Sequence, residues 1–137
     1  MEVEFALLAA HAELAPDGRL SVLSGGLDTI RGFFPGITVY PVYFAARIVF
    51  LPDEGDKDYK VSVELLLPDG TVFEKSDQNF RPEVGPKRTK VGFIITFFNM
   101  NIQTLGDYMI RLLIDGHEKK TLPLSFEALP QSTRTDG

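Results

Sequence analysis

The chain has 137 residues, of which 44% are hydrophobic and 24% charged, with a net charge of −5 and no cysteine. That length fits one domain able to bury roughly two-thirds of its unfolded surface, with no staple or metal needed for stability. The acidic balance argues against a nucleic-acid footprint, which needs a basic surface, and the missing cysteines exclude disulfides, thiolate metal sites and Cys nucleophiles.

Glu2 and Glu4 stand where a signal peptide needs basic residues, and no apolar run approaches the ~20 residues of a membrane span. A cysteine-free chain suits a reducing compartment, so a cytoplasmic protein that does not engage membranes is expected. Val3, Phe5, Leu7 and Ala9 alternate with Glu2 and Glu4, the period of a strand, and His11 continues that face. A helix competes over residues 5–14, because Ala and Leu are strong helix formers. The alternating start and the turn Ala15-Pro16-Asp17-Gly18 favour strand. Arg19 to Ser24 reads as its hairpin partner.

Residues 25–37, GGLDTIRGFFPGI, carry the punctuation of a loop or irregular edge. Phe33 and Phe34 inside it either fold back as a plug over the core or are displayed to a partner. The plug is the commoner outcome, since soluble proteins rarely expose large apolar patches. Residues 38–51 predict a long strand. Tyr40, Val42, Phe44, Ala46, Ile48 and Phe50 hold one face, while Val39, Tyr43 and Val49 leave the other largely apolar, with Arg47 the exception. Pro41 belongs at a bulge or edge.

An acidic loop over 52–58 leads to Tyr59, Val61, Val63, Leu65 and Leu67, a clean inward set. Pro68-Asp69-Gly70 predicts a turn and a return strand from Thr71 to about Ser76. Residues 77–90 have no period and are expected to be a long loop. Residues 91–103 are apolar on both sides: Val91, Phe93, Ile95 and Phe97 on one, Ile94, Phe98, Met100 and Ile102 on the other. Gly106 to Glu127 predicts a hairpin, with Tyr108, Ile110, Leu112 and Ile114 in phase, Asp115-Gly116 as the reversal, and Leu122, Leu124 and Phe126 returning. Leu105-Gly106-Asp107-Tyr108 echoes the tyrosine corner of sandwich folds. Residues 128–137 look like a polar, disordered tail behind a single domain over 1–127. The sum is an all-β, antiparallel β-sandwich of about eight strands, immunoglobulin-like or jelly-roll-like.

Chemistry is poorly represented. His11 and His117 are isolated, whereas a catalytic metal needs several ligands converging from adjacent strands. No strained G-x-S-x-G elbow and no glycine-rich phosphate loop occur. Paired carboxylates for glycoside hydrolysis stay open, because their separation is a three-dimensional fact. Asp53, Asp56 and Asp58 are the best Ca²⁺ candidates, although their spacing is not that of an EF-hand and a solvated loop is the plainer reading. Arg81, Lys87, Arg88 and Lys90 form a basic cluster, again read as a solvated loop.

The opening MEVEFALLAA with RLSVLSGGLDTI, and the later GDYMIRLLIDGHE, resemble an uncharacterised bacterial family of short all-β proteins. The resemblance covers both ends of the chain and rests on glycines and alternating apolar residues. It implies a bacterial, single-domain β-sandwich without assigned activity, and it transfers no catalytic residue.

Surplus apolar surface is the strongest functional signal. A sandwich strand needs one apolar face, yet residues 38–51 and 91–102 have two. Either a loop such as 77–90 covers the second face, or another chain does. The expectation is a non-enzymatic, cofactor-free protein-binding or assembly module that self-associates as a homo-oligomer, with Phe33, Phe34, Tyr43, Ile94, Phe98 and Met100 as its partner surface. The alternative is a small-ligand, Ca²⁺-binding or hydrolytic sandwich using the loop over 53–58.

Overall fold

The structure, a computed structural model, describes residues 1–16, 19–38, 41–83, 86 and 89–129. Among them are eleven strands and a single 3₁₀ turn, Pro52–Glu54. In chain order the strands are β1 (Glu2–Leu14), β2 (Leu20–Gly25), β3 (Thr29–Gly32), β4 (Gly36–Ile37), β5 (Val42–Phe50), β6 (Tyr59–Leu66), β7 (Val72–Phe80), β8 (Thr89–Phe97), β9 (Asn101–Ile102), β10 (Gly106–Ile114) and β11 (His117–Ala128). Two sheets of order β2-β1-β5-β8 and β3-β11-β10-β6-β7 make the sandwich, and the short pair β4-β9 closes one end.

The β10–β11 hairpin forms where its alternation predicts. Asp115 and Gly116 both take positive φ, 51° and 81°, the geometry of a two-residue turn whose twist matches the strands. Tyr108, Ile110, Leu112, Ile114, Leu124 and Phe126 are all buried. They meet Val61, Val63 and Leu65 of β6 within their sheet, and Phe44, Ile48, Phe93 and Ile95 of the other, in one apolar cluster. Tyr108 makes the predicted corner: its hydroxyl donates to the Thr104 carbonyl at 2.6 Å, and burial pushes its pKa up.

Several local expectations are corrected. The supposed loop over 25–37 contains β3, which pairs in parallel with β11 from Ser125↔Thr29 to Ala128↔Gly32, so the sheets are not wholly antiparallel. β7 runs on to Phe80, because Asp77, Gln78 and Asn79 take ladder positions opposite Ser62, Val61 and Lys60 at an edge that tolerates polar residues. β11 includes Ala128, and the Leu129 N–H donates to Gly32 O at 2.8 Å, so order extends past residue 127. The expectations for the Asp17-Gly18 turn, for Val39 and Tyr40, for Lys87 and Arg88, and for residues 130–137 lie outside the described residues.

The first strand changes face. A register shift between Val3 and Phe5 sets Val3 opposite Ile48 and Phe5 opposite Arg47, so one extra residue, Glu4, bulges the strand. Val3, Ala6 and Leu8 therefore join the core, while Phe5, Leu7, Ala9 and His11 fall on the outer face. The Arg47 guanidinium sits 5.2 Å from the Phe5 ring centroid there.

β1 then curls. Its second half, with β2, bends back across the outer face of its own sheet. A Cβ built on Gly92 of β8 would lie 2.7 Å from Leu14 Cδ2 and 3.3 Å from Leu20 Cγ. Gly92 faces outward, opposite Arg47, so the hairpin packs down only because no side chain stands there. Ala9 and Ala45, also on the outer face, are both 0% exposed. Part of the surplus apolar face is thus covered by the chain itself.

Charged residues flank this region. Arg47 and Lys90 donate to Glu4 at 2.9 and 3.2 Å, and those bonds, Arg47's first, hold the Glu4 carboxyl below its ordinary range. A hydrogen bond from Ser62 does the same for Asp77. A depressed folded pKa contributes stability above the unfolded value and loses it as pH falls through the folded one. The urea midpoint is therefore expected to hold down to about pH 4.5, the ordinary Glu value, and to decline below it. Glu4→Gln should shallow that decline, and urea titration by circular dichroism across pH checks it.

Candidate functional site

One end of the sandwich gathers several of the exposed apolar side chains, Phe33, Ile37, Phe98 and Leu105 among them. There β6, β8 and β11 finish and β10 begins, as the pairings Met109↔Leu66 and Gly106↔Phe126 show. β3 enters this end from the edge of its sheet and delivers the turn Phe33-Phe34-Pro35. The two phenylalanines divide the alternatives that the sequence poses. Phe34 turns inward, its ring edge-on to Phe126 with centroids 5.6 Å apart, and Phe33 is 83% exposed. Gly36 permits the turn, since a Cβ there would stand 3.0 Å from the Phe33 carbonyl oxygen.

β4 and β9 buttress the turn. The Thr38 N–H donates to Met100 O at 2.8 Å, and the Met100 N–H to Thr38 Oγ1 at 3.3 Å. Ile37, on the same short pair, is 63% exposed, and Phe98, just past β8, is 61% exposed. Leu105 is exposed at the same end. Between them are recesses. One of about 260 Å³ is lined by Ile30, Phe33, Phe34, Ile37 and Leu129. It shares Ile30 and Thr38 with a second, of about 270 Å³, that runs to Leu27, Pro41 and Val42. Arg31 and Glu127, paired at 2.9 Å, border the first. The arrangement offers projecting aromatic and aliphatic side chains beside a shallow apolar groove, with little charge in between.

The expected partner residues do not all meet here. Phe33 and Phe98 do. Phe34 is half-buried and acts as the anchor. Tyr43 and Ile94 are half-buried on the outer face of the β2-β1-β5-β8 sheet. The Tyr43 ring lies against His11, with centroids 4.9 Å apart, and Ile94 stands opposite Ala45. Met100 is corrected outright: at 1% exposure it belongs to the core. The chain leaves β8 at Phe97, and Asn99 takes φ 54°, so the two-residue period is interrupted and both Met100 and Ile102 turn inward. Ile37 and Leu105 were not singled out from sequence. Each sits beside a glycine, at Gly36 and Gly106, and an apolar residue at such a turn is the signal that marks them.

The acidic loop has other engagements. Glu54 Oε1 accepts from the Leu51 N–H at 2.8 Å and lies 2.6 Å from the Met1 amino group. Although partial burial pushes its carboxyl up, those two bonds prevail and hold it below its ordinary range. Asp58 faces Arg81 at 3.5 Å. Among the described residues no three His, Asp or Glu side chains cluster as a metal site would require. His11 Nε2 pairs with Glu13 at 2.8 Å, and His117 opens β11 at the surface. Of the basic cluster, Arg81 and Lys90 are each paired with a carboxylate. Among the described residues no helix is long and apolar enough to cross a membrane.

Comparison with known proteins gives a family and two distant likenesses of fold. The model of a family of unknown function, DUF6941, matches residues 4–127. No curated protein matches. Among solved structures, the alkylpurine DNA glycosylase AlkC of Pseudomonas fluorescens, bound to DNA containing an abasic site analogue, aligns at 8% identity and a TM-score of 0.45. The alignment covers 90% of this chain but 30% of that one. A CARDB domain from Pyrococcus furiosus, in complex with di-metal ions, aligns at 14% identity and a TM-score of 0.42, over 95% of this chain and 98% of that one.

Proposed function

We propose that this chain, which belongs to the DUF6941 family, is a non-enzymatic protein-binding and assembly module, working in the cytoplasm and contacting its partner through the Phe33–Ile37 end of the sandwich. One observation carries the reading: Phe33 is held outward at 83% exposure while its neighbour Phe34 is anchored in the core. An aromatic side chain fixed in water on a buttressed turn costs hydration free energy with no packing return, and such anchors beside an apolar pocket are what dominate protein interfaces. A partner protein that supplies an apolar side chain to the groove beside Ile30 and Leu129 fits this shape.

The experiment is affinity capture from cell extract with the wild-type chain and with the double variant Phe33→Ser, Ile37→Ser. Both residues are exposed, so the fold should persist. Proteins retained by the wild type and lost by the variant are the expected result. Equal retention by the two would remove the loop end from consideration.

A further inference from the structure

We propose that β8 is a self-association edge, on which a second copy of this chain adds its own β8 in antiparallel register. The proposal rests on the assembly half of the reading above and uses a different surface from the Phe33–Ile37 end.

Four strands terminate the two sheets: β2 and β8 in one, β3 and β7 in the other. A terminal strand offers an unpaired row of N–H and C=O groups, and soluble proteins blunt that row with charge, brevity or irregular backbone. Three of the four edges are blunted. β3 has four residues and carries Arg31. β7 carries Glu74, Lys75 and Asp77. β2 is broken at Ser24, which takes φ 54°.

β8 has none of these devices. From Val91 to Phe97 it reads VGFIITF, seven residues without charge or proline and rich in β-branched and aromatic side chains. All nine residues pair in unbroken register with β5 on one side, and the other side has no strand partner among the described residues. Lys90, the strand's single charge, is drawn away to Glu4 at 3.2 Å. Such an edge in a soluble protein calls for a cover.

The features of the edge favour a second copy as that cover. Antiparallel pairing about a two-fold axis sets β8 against itself, so a neutral segment meets a neutral segment and each face of the sheet continues into the same face of its copy. The same pairing carries Lys90 of one copy toward the Phe97–Phe98 end of the other. At that end Glu74 and Lys75 line a recess of about 280 Å³ with Phe98, Thr96 and Met100, and the Lys75 ammonium is itself turned to Glu64 and Asp77. Each end of the pair thus sets Lys90 of one copy, with its partner Glu4, beside the mixed Glu74–Lys75 rim of the other, and Phe98 is covered.

Analytical ultracentrifugation of the full chain and of Thr96→Lys tests this. Thr96 is exposed, so the variant should keep the wild-type circular dichroism spectrum. The wild type is expected to show a concentration-dependent dimer, and the variant to weaken it by about tenfold or more, since this pairing sets the introduced ammonium diagonally across from Lys90 of the other copy. Hydrogen exchange at Val91–Phe97 should slow as wild-type concentration rises. A wild type that stays monomeric at high concentration would overturn the proposal. So would a dimer indifferent to Thr96→Lys whose protected amides lie elsewhere. Phe33→Ser, Ile37→Ser should leave the dimer intact, and a monomeric double variant would place self-contact at the loop end instead. Partner capture that survives Thr96→Lys while the dimer is lost separates the fate of this proposal from that of the loop-end reading.

Discussion

Phe126→Ala is expected to lower the stability of the chain by about 3–5 kcal/mol, the range for emptying a buried aromatic site. Phe126 is 1% exposed and sits where two ring contacts converge, with Tyr108 at 4.7 Å and Phe34 at 5.6 Å between centroids. Deleting it leaves a cavity under the Phe33-Phe34-Pro35 turn and frees the ring that holds the turn down. Denaturation in urea, followed by circular dichroism, reads the loss directly. Partner capture should weaken as well, although no exposed side chain has changed. Phe126→Leu, which retains most of the apolar volume, should cost less on both counts.

Ala45→Leu is expected to destabilise by about 1–3 kcal/mol, because it inserts methylene groups where there is no room. Ala45 lies on the outer face of β5, between Leu7 of β1 and Ile94 of β8, and is 0% exposed on the face where Leu14 and Leu20 reach Gly92. If that face were bathed in solvent, the same change would fall within roughly ±0.5 kcal/mol, as surface substitutions do. Thr96→Leu, on the same face of β8 but exposed, supplies the control and should be close to neutral. A small effect at both positions would mean that the curl does not cover the sheet.

These two residues mark what was legible in the sequence and what was not. The hairpin around Phe126 could be read almost residue by residue, because a strict period of two and an Asp-Gly turn are local signals that tertiary structure has no reason to override. The cover over Ala45 could not. It depends on Leu14 and Leu20 reaching Gly92, which is more than seventy residues away in the chain, and nothing within a single strand announces that a later glycine will make room. The bulge at Glu4 is similarly silent, and it moved Phe5 and His11 to the other face. β3 escaped notice because four residues among glycines show no period, and its partner β11 is nearly a hundred residues on.

The candidate site was half legible for the same reason. A pair of phenylalanines in a glycine-rich loop is visible in the sequence, whereas their division into anchor and display requires Phe126 to be in place. Alternation carried through Asn99 puts Met100 on the wrong side, because the positive φ of Asn99 resets the phase. Of the second apolar face expected over 91–102, only Ile94 stands outward on β8: Met100 and Ile102 are buried, and Phe98 lies past the end of the strand. The position of β8 at a sheet edge follows only from the strand order.

The central claim is that the Phe33–Ile37 end touches another protein in the cell. Placing a photo-crosslinking aromatic residue at Phe33, and in a separate chain at Leu23, tests it most directly, since Leu23 is also well exposed but belongs to β2 and not to this end. The account predicts a discrete adduct from position 33 that is absent from position 23. No adduct at position 33, or the same adducts from both positions, would contradict it.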